Sequence, residues 1–91
     1  MSLRRPRILA FKSPSCPPCR ALAPILKALA DRYAGRVDLE WVDTLEKPEM
    51  AAHYHVTSVP TLLGLVGDRV ITQQVGYAGA DRVEALFAQL A

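Results

Sequence analysis

Two cysteines are the only ones in the chain, and they stand three apart as Cys16-Pro17-Pro18-Cys19. At that spacing two sulfurs can meet across one turn of chain, which is the arrangement used for thiol–disulfide exchange. A thiolate is the reactive form, and a helix N-terminus, with about half a positive charge, favours it over the thiol. Cys16 at the N-cap, with Pro17 at the first helical position, would receive that field. Cys19 lies one turn further on and could attack a mixed disulfide formed at Cys16. Neither proline carries an N–H, so the nearest backbone donor to the Cys16 sulfur is the amide of Cys19. Other uses of the pair are weaker. A purely structural disulfide closing so small a ring would add only about 2 kcal/mol by loop-closure extrapolation. A zinc site needs four ligands; a second C-x-x-C is absent, and His53 and His55, the remaining candidates, are only two residues apart. Two inert buried cysteines fit poorly with the two prolines between them, which signal an exposed turn.

Such a motif works only if a strand and a helix hold it, and both can be read from the sequence. Arg7–Phe11 is a short apolar run of buried-strand type, ended by Ser13-Pro14-Ser15. Beyond the cysteines, Leu22, Ile25, Leu26, Leu29 and Tyr33 fall at i, i+3, i+4, i+7 and i+11, one face of a helix, with Lys27, Asp31 and Arg32 opposite. Gly35 suits its C-terminal stop, and Pro24 should kink it near the second turn. Val37, Leu39 and Trp41 alternate with Asp38 and Glu40 as in a half-buried strand. Pro48, Met50 and Tyr54 predict a short helix ending near Val56. Thr61–Val66 and Arg69–Val75 read as two strands joined by Gly67-Asp68, a two-residue hairpin loop with glycine first. Val83, Leu86, Phe87 and Leu90 are the stripe of a closing helix. The predicted order is βαβ–ββα: an α/β fold with a four-stranded mixed sheet and three helices.

Length and composition bound the function. Ninety-one residues, half of them apolar, suit a single domain over residues 1–91 with a core that needs no staples. A net charge of +2 does not suggest a nucleic-acid binder. Arg4, Arg5 and Arg7 cluster at the start without an aromatic platform and read as a solvated edge, so neither a nucleic-acid nor a membrane contact is expected. Ile8–Phe11 is too short for a signal core, and no stretch approaches ~20 apolar residues. A cytoplasmic location follows as the expectation.

With these residues in place, the chain resembles the thioredoxin family from Arg7 to Leu90. Phe11 stands five before the first cysteine, Cys16–Cys19 matches the active-site motif, and Pro24 matches the family's helix proline. Asp43 closes the second strand. Val56-Thr57-Ser58-Val59-Pro60-Thr61-Leu62-Leu63 is similar to the family's cis-proline segment, and Val75-Gly76 to its groove glycine. The resemblance implies a thioredoxin-like fold and reduction of protein disulfides by dithiol exchange, with Cys16 attacking and Cys19 resolving. It also implies a cis bond at Val59-Pro60, a substrate surface of Val59, Pro60 and Gly76, and no cofactor or metal. Disulfide-bearing proteins would be the substrates, a reductase of thioredoxin-reductase type the electron donor, and the working form a monomer. His55 lies on the loop the family folds toward the active site, where it either borders the groove or simply ends a helix. The departures are specific. Thioredoxins carry a further strand and helix ahead of the first strand seen here, and this chain is nearer glutaredoxin size. Lys12 and Ser15 stand where tryptophans are common, and Ala10 stands where a buried acid is usual. Two alternatives accompany this reading: a glutathione-dependent, glutaredoxin-like enzyme, and a non-catalytic module that holds zinc or a partner.

Overall fold

The apolar run that predicted the first strand becomes the centre of the sheet. In the computed structural model, which describes residues 5–91, β1 spans Arg7–Lys12, and Ile8, Leu9, Ala10 and Phe11 are all fully buried. A strand covered on both faces has no reason to alternate, hence the continuous run. The other elements are α1 (Pro17–Arg32), β2 (Asp38–Asp43), α2 (Pro48–His53), β3 (Thr61–Val66), β4 (Arg69–Val75) and α3 (Ala80–Leu90), in the expected order. The sheet runs β2-β1-β3-β4, with β1 parallel to β2 and antiparallel to β3, and β3 antiparallel to β4. Arg4, one of the three clustered arginines, lies outside the described residues.

Register sorts the side chains onto two faces. Ile8, Ala10 and Leu62 face α1 and α3, where they meet Leu22, Leu26, Leu86 and Phe87. Leu9, Phe11, Val42, Leu63 and Leu65 face the other way, toward Met50 and Tyr54 of the α2 region. α1 and α3 are also joined directly: the Tyr33 and Phe87 rings lie 5.5 Å apart, and the Arg32 guanidinium donates to Glu84 at 2.8 Å. Gly64 on β3 permits the close approach of α3. A Cβ there would stand 2.6 Å from the Thr72 methyl and 3.1 Å from Leu90.

The element boundaries differ from the sequence reading in small ways, each with a local cause. β2 starts at Asp38 instead of Val37 because its ladder to β1 begins at Arg7↔Asp38, and it continues to Asp43. Asp43 Oδ1 then accepts from the Leu45 and Glu46 amides at 2.8 and 3.4 Å, turning the chain out of the strand. α1 ends at Arg32 with Tyr33 as its cap, and Gly35, at φ 84°, serves the following turn. The helix runs through Pro24 without a break in its assignment, and Pro24 itself is exposed. α2 stops at His53, earlier than expected. Its end is a Schellman motif: the Val56 amide donates to Ala51 C=O at 2.8 Å and the His55 amide to Ala52 C=O at 3.2 Å, with His55 at φ 58°. The hairpin turn forms at Gly67-Asp68 with Gly67 at φ 61°, as read from the sequence.

Candidate active site

The turn after β1 delivers the cysteines to the start of α1. Cys16 is the N-cap, with extended backbone at φ −134° and ψ 93°, and its carbonyl accepts the first helical bond from the Arg20 amide at 3.2 Å. Pro17 and Pro18 occupy the first two helical positions and leave their ring faces exposed. The two sulfurs are joined, with S–S 2.12 Å and the Cα atoms 5.2 Å apart. The Cys19 amide donates to Cys16 Sγ at 3.2 Å, the donor that two prolines leave available. An N-cap position ordinarily faces solvent, which predicts Cys16 as the more exposed of the two; instead Cys16 and Cys19 retain only 4% and 5% exposure. Burial is nearly equal in the bonded pair, so the helix field and not exposure distinguishes the two residues.

The cis-proline segment lies at the same end of the sheet, because Thr61 is the register partner of Phe11. Val59-Pro60 is cis, as the resemblance implied. The Gly76 amide donates to Pro60 C=O at 2.8 Å, which brings those two predicted residues together. The Thr61 hydroxyl donates to Ser58 C=O at 2.8 Å and fixes the approach to the proline. Ser13, Val56, Ser58 and Val59 line a small cleft of about 190 Å³ beside this segment, and Val59 keeps its backbone groups clear of other backbone partners among the described residues. His55 does not line that cleft. It is exposed, and its backbone is occupied in capping α2. The two histidines and the cysteines do not converge: among the described residues no three His, Cys, Asp or Glu side chains group as a metal site would require.

Among the described residues no acid is buried in the core on the α1 side of β1. Ala10 is fully buried beside Leu22 and Leu26, in line with Trp41 on β2 and Leu62 on β3. Asp38 and Glu40 of β2 face away, as alternation predicted, and are engaged at the surface, while the Asp43 carboxylate turns into its own loop. Asp38 lies 3.5 Å from Arg5, and Glu40 lies 3.7 Å from Arg7. What the sequence reading missed is a feature beside Cys19. Lys12 Nζ stands 5.4 Å from the centre of the Trp41 ring, and both line an open groove that reaches Cys19 and Arg20. The signal available was a lysine closing an apolar strand and the chain's single tryptophan on the next one, but register was needed to put them side by side.

Comparison with known proteins agrees with this geometry. The thioredoxin family model matches residues 2–91. The chain is 34% identical over 84 residues to thioredoxin C-2 of Corynebacterium nephridii, covering 92% of this chain and 78% of that one. It is 31% identical over 86 residues to the thioredoxin of Alicyclobacillus acidocaldarius, covering 94% of this chain and 82% of the relative. A solved structure titled "Structure of a malarial protein" superposes with a TM-score of 0.85 at 21% identity, over 96% of this chain and 98% of that one, a likeness of fold.

Proposed function

The chain belongs to the thioredoxin family, and we propose that it reduces protein disulfides by dithiol exchange, with Cys16 as nucleophile and Cys19 as resolving thiol. The observation that carries this is the bonded sulfur pair at the first turn of α1. Membership of the family and the bonded pair together make it a thiol–disulfide oxidoreductase; the assignment of steps is as follows. In the reduced protein the Cys16 thiolate is favoured by the helix N-terminus and by the Cys19 amide that already points at its sulfur. It attacks one sulfur of the substrate disulfide, forming a mixed disulfide and releasing the other substrate sulfur as a thiolate. The Cys19 thiol gives up its proton, and its thiolate attacks Cys16 Sγ. The intramolecular disulfide closes, and the second substrate sulfur leaves as a thiolate. Two electrons pass to the substrate, and the two protons of the dithiol end on its thiols or in solvent.

Val59, Pro60 and Gly76 form the substrate face in this reading. The free backbone groups of Val59 can pair with an extended substrate as an added strand would, and the Gly76–Pro60 bond holds the two sides of that face together. Electrons return from a reductase of thioredoxin-reductase type in the cytoplasm, whose reducing poise maintains the dithiol. The test is turnover of a protein disulfide with NADPH and thioredoxin reductase, run beside glutathione with glutathione reductase. Turnover should appear in the first system and vanish in both Cys16→Ser and Cys19→Ser. Turnover confined to the glutathione system would replace the proposal with a glutaredoxin-like one, and turnover in neither would make the chain a binding module.

A further inference from the structure

β2 is an edge strand, so among the described residues the outer backbone groups of Asp38–Asp43 have no strand beside them. Next to that edge runs an open groove of about 820 Å³. α1 supplies one wall through the small residues Ala23 and Ala30, Ala34 continues it just past the helix end, and β2 supplies the floor through Leu39 and Trp41. The slot follows α1 from Cys19 to Asp31, roughly 18 Å at 1.5 Å per residue, enough for about five or six residues of extended chain. Small side chains on the wall leave room for a backbone, and an unpaired edge offers it hydrogen bonds.

The charges of the slot are unevenly neutralised. At its far end Arg5 is 3.5 Å from Asp38 and Lys27 is 3.9 Å from Asp31. At the end that opens on Cys19, Lys12 and Arg20 form no ion pair with any acid among the described residues. Lys12 instead lies over the Trp41 ring. The redox end of the groove therefore carries two uncompensated positive charges over an aromatic floor.

We infer that this slot docks an acidic, extended segment of a redox partner, which adds to the free edge of β2 and places its carboxylates against Lys12 and Arg20. The surface differs from the one formed by Val59, Pro60 and Gly76, because it lies on the Cys19 side of the turn and shares only Ser13 with the cleft at Val59. Only the identity of the occupant as a redox partner rests on the proposed function; the docking itself does not. Lys12 and Arg20 are positioning residues here, setting which partners are held near the cysteines.

Trp41 is the only tryptophan in the chain, so its fluorescence reports the slot directly. The oxidised protein is titrated with a cysteine-free six-residue peptide of alternating Glu and Val, and with the same peptide carrying Lys for Glu. The acidic peptide should give a saturable change in Trp41 emission, weakened by salt, and the basic one should not. K12E/R20E should weaken the acidic peptide roughly tenfold, as expected for losing two exposed ion pairs, and K12R/R20K should preserve binding. Hydrogen exchange at the amides of Asp38–Asp43 should slow on binding. Equal affinity for both peptides, an acidic peptide that leaves Trp41 unchanged, or indifference to K12E/R20E would overturn the inference. A Trp41 change that follows protein concentration alone would assign the slot to a second copy and overturn it too. No cysteine reacts in this assay, so the result is independent of whether the redox reading stands.

Discussion

Placing a carboxyl beneath the cysteines is the sharpest test of what Ala10 does. Ala10 is fully buried on the α1 side of β1, among Leu22, Leu26 and Leu62, apolar side chains that offer an anion no hydrogen bond. Cys19 must then lose its proton without help from the sheet, and Ala10→Asp supplies a base at that position. Removing a proton through a positioned base accelerates such steps by about 10²–10⁴-fold when geometry is good, so even imperfect placement should speed resolution of the mixed disulfide about tenfold. The variant should also be less stable in a pH-dependent way. Burial raises the new carboxyl's pKa in the folded state by ~3 units above ~3.9. With the folded pKa above the unfolded one, the loss is smallest below pH ~4 and grows as pH rises toward ~7. At about 1.36 kcal/mol per unit this reaches ~4 kcal/mol near neutrality. A domain of this size has about 5–14 kcal/mol to lose, so the protein stays folded but its denaturation midpoint should fall steeply between pH 4 and 7. Stopped-flow rates of the resolving step, with denaturant melts at both pH values, measure the two effects. If the native protein already resolves as fast as Ala10→Asp, another base serves Cys19 and the reasoning about Ala10 fails.

Three further outcomes follow from the structure. In the reduced protein, iodoacetamide at neutral pH should label Cys16 before Cys19, since Cys16 holds the N-cap position and accepts the Cys19 amide; mass spectrometry showing Cys19 labelled first reverses their roles. Gly64→Ala should destabilise by about 1–3 kcal/mol, because the new methyl meets Thr72 and Leu90 at 2.6 and 3.1 Å; an unchanged urea midpoint would mean that α3 moves aside freely. His55→Gly should stabilise by about 0.5–1 kcal/mol, because a non-glycine residue at φ 58° closes the Schellman motif. The same variant should leave turnover at neutral pH unchanged, whereas a several-fold loss would return His55 to the groove.

The parts of the fold written in local pattern were legible in the sequence. Three-to-four spacing exposed α1 and α3, glycine in first place marked the β3–β4 turn, and an unbroken apolar run marked the central strand. The cysteine motif was legible because its chemistry depends on local spacing. Residues whose meaning comes from register were not. Lys12 and Trp41 are twenty-nine apart in sequence and become neighbours because Lys12 and Ala10 pair with Asp43 and Trp41 across β1 and β2. His55 looked like a candidate groove residue, but its backbone conformation, invisible in the sequence, makes it a helix cap. Near-equal burial of the two cysteines was likewise unreadable, because helix geometry indicates which cysteine comes first but not how much of each the rest of the fold covers.

The electrostatics of Cys19 follow from the same arrangement. Cys19 is buried at 5% exposure at the start of a helix whose inner face, from Leu22 on, packs on an apolar core, and burial disfavours a charged sulfur. Asp38 and Glu40 of β2 are held outward by Arg5 and Arg7. On its outer side the groove presents Lys12 and Arg20, whose charge favours the thiolate. Lys12 and Arg20 are thus the charges beside Cys19 that can favour its attacking form. Exposed cations are screened by salt, whereas a core desolvation is not: at 1 M ionic strength the Debye length is about 3 Å. In Cys16→Ser, the rate of Cys19 alkylation at neutral pH should therefore fall between low salt and 1 M salt, and the fall should shrink in Lys12→Gln/Arg20→Gln. A rate that salt does not move would mean that the core alone sets the reactivity of Cys19, and the rim charges would then serve docking without touching the chemistry.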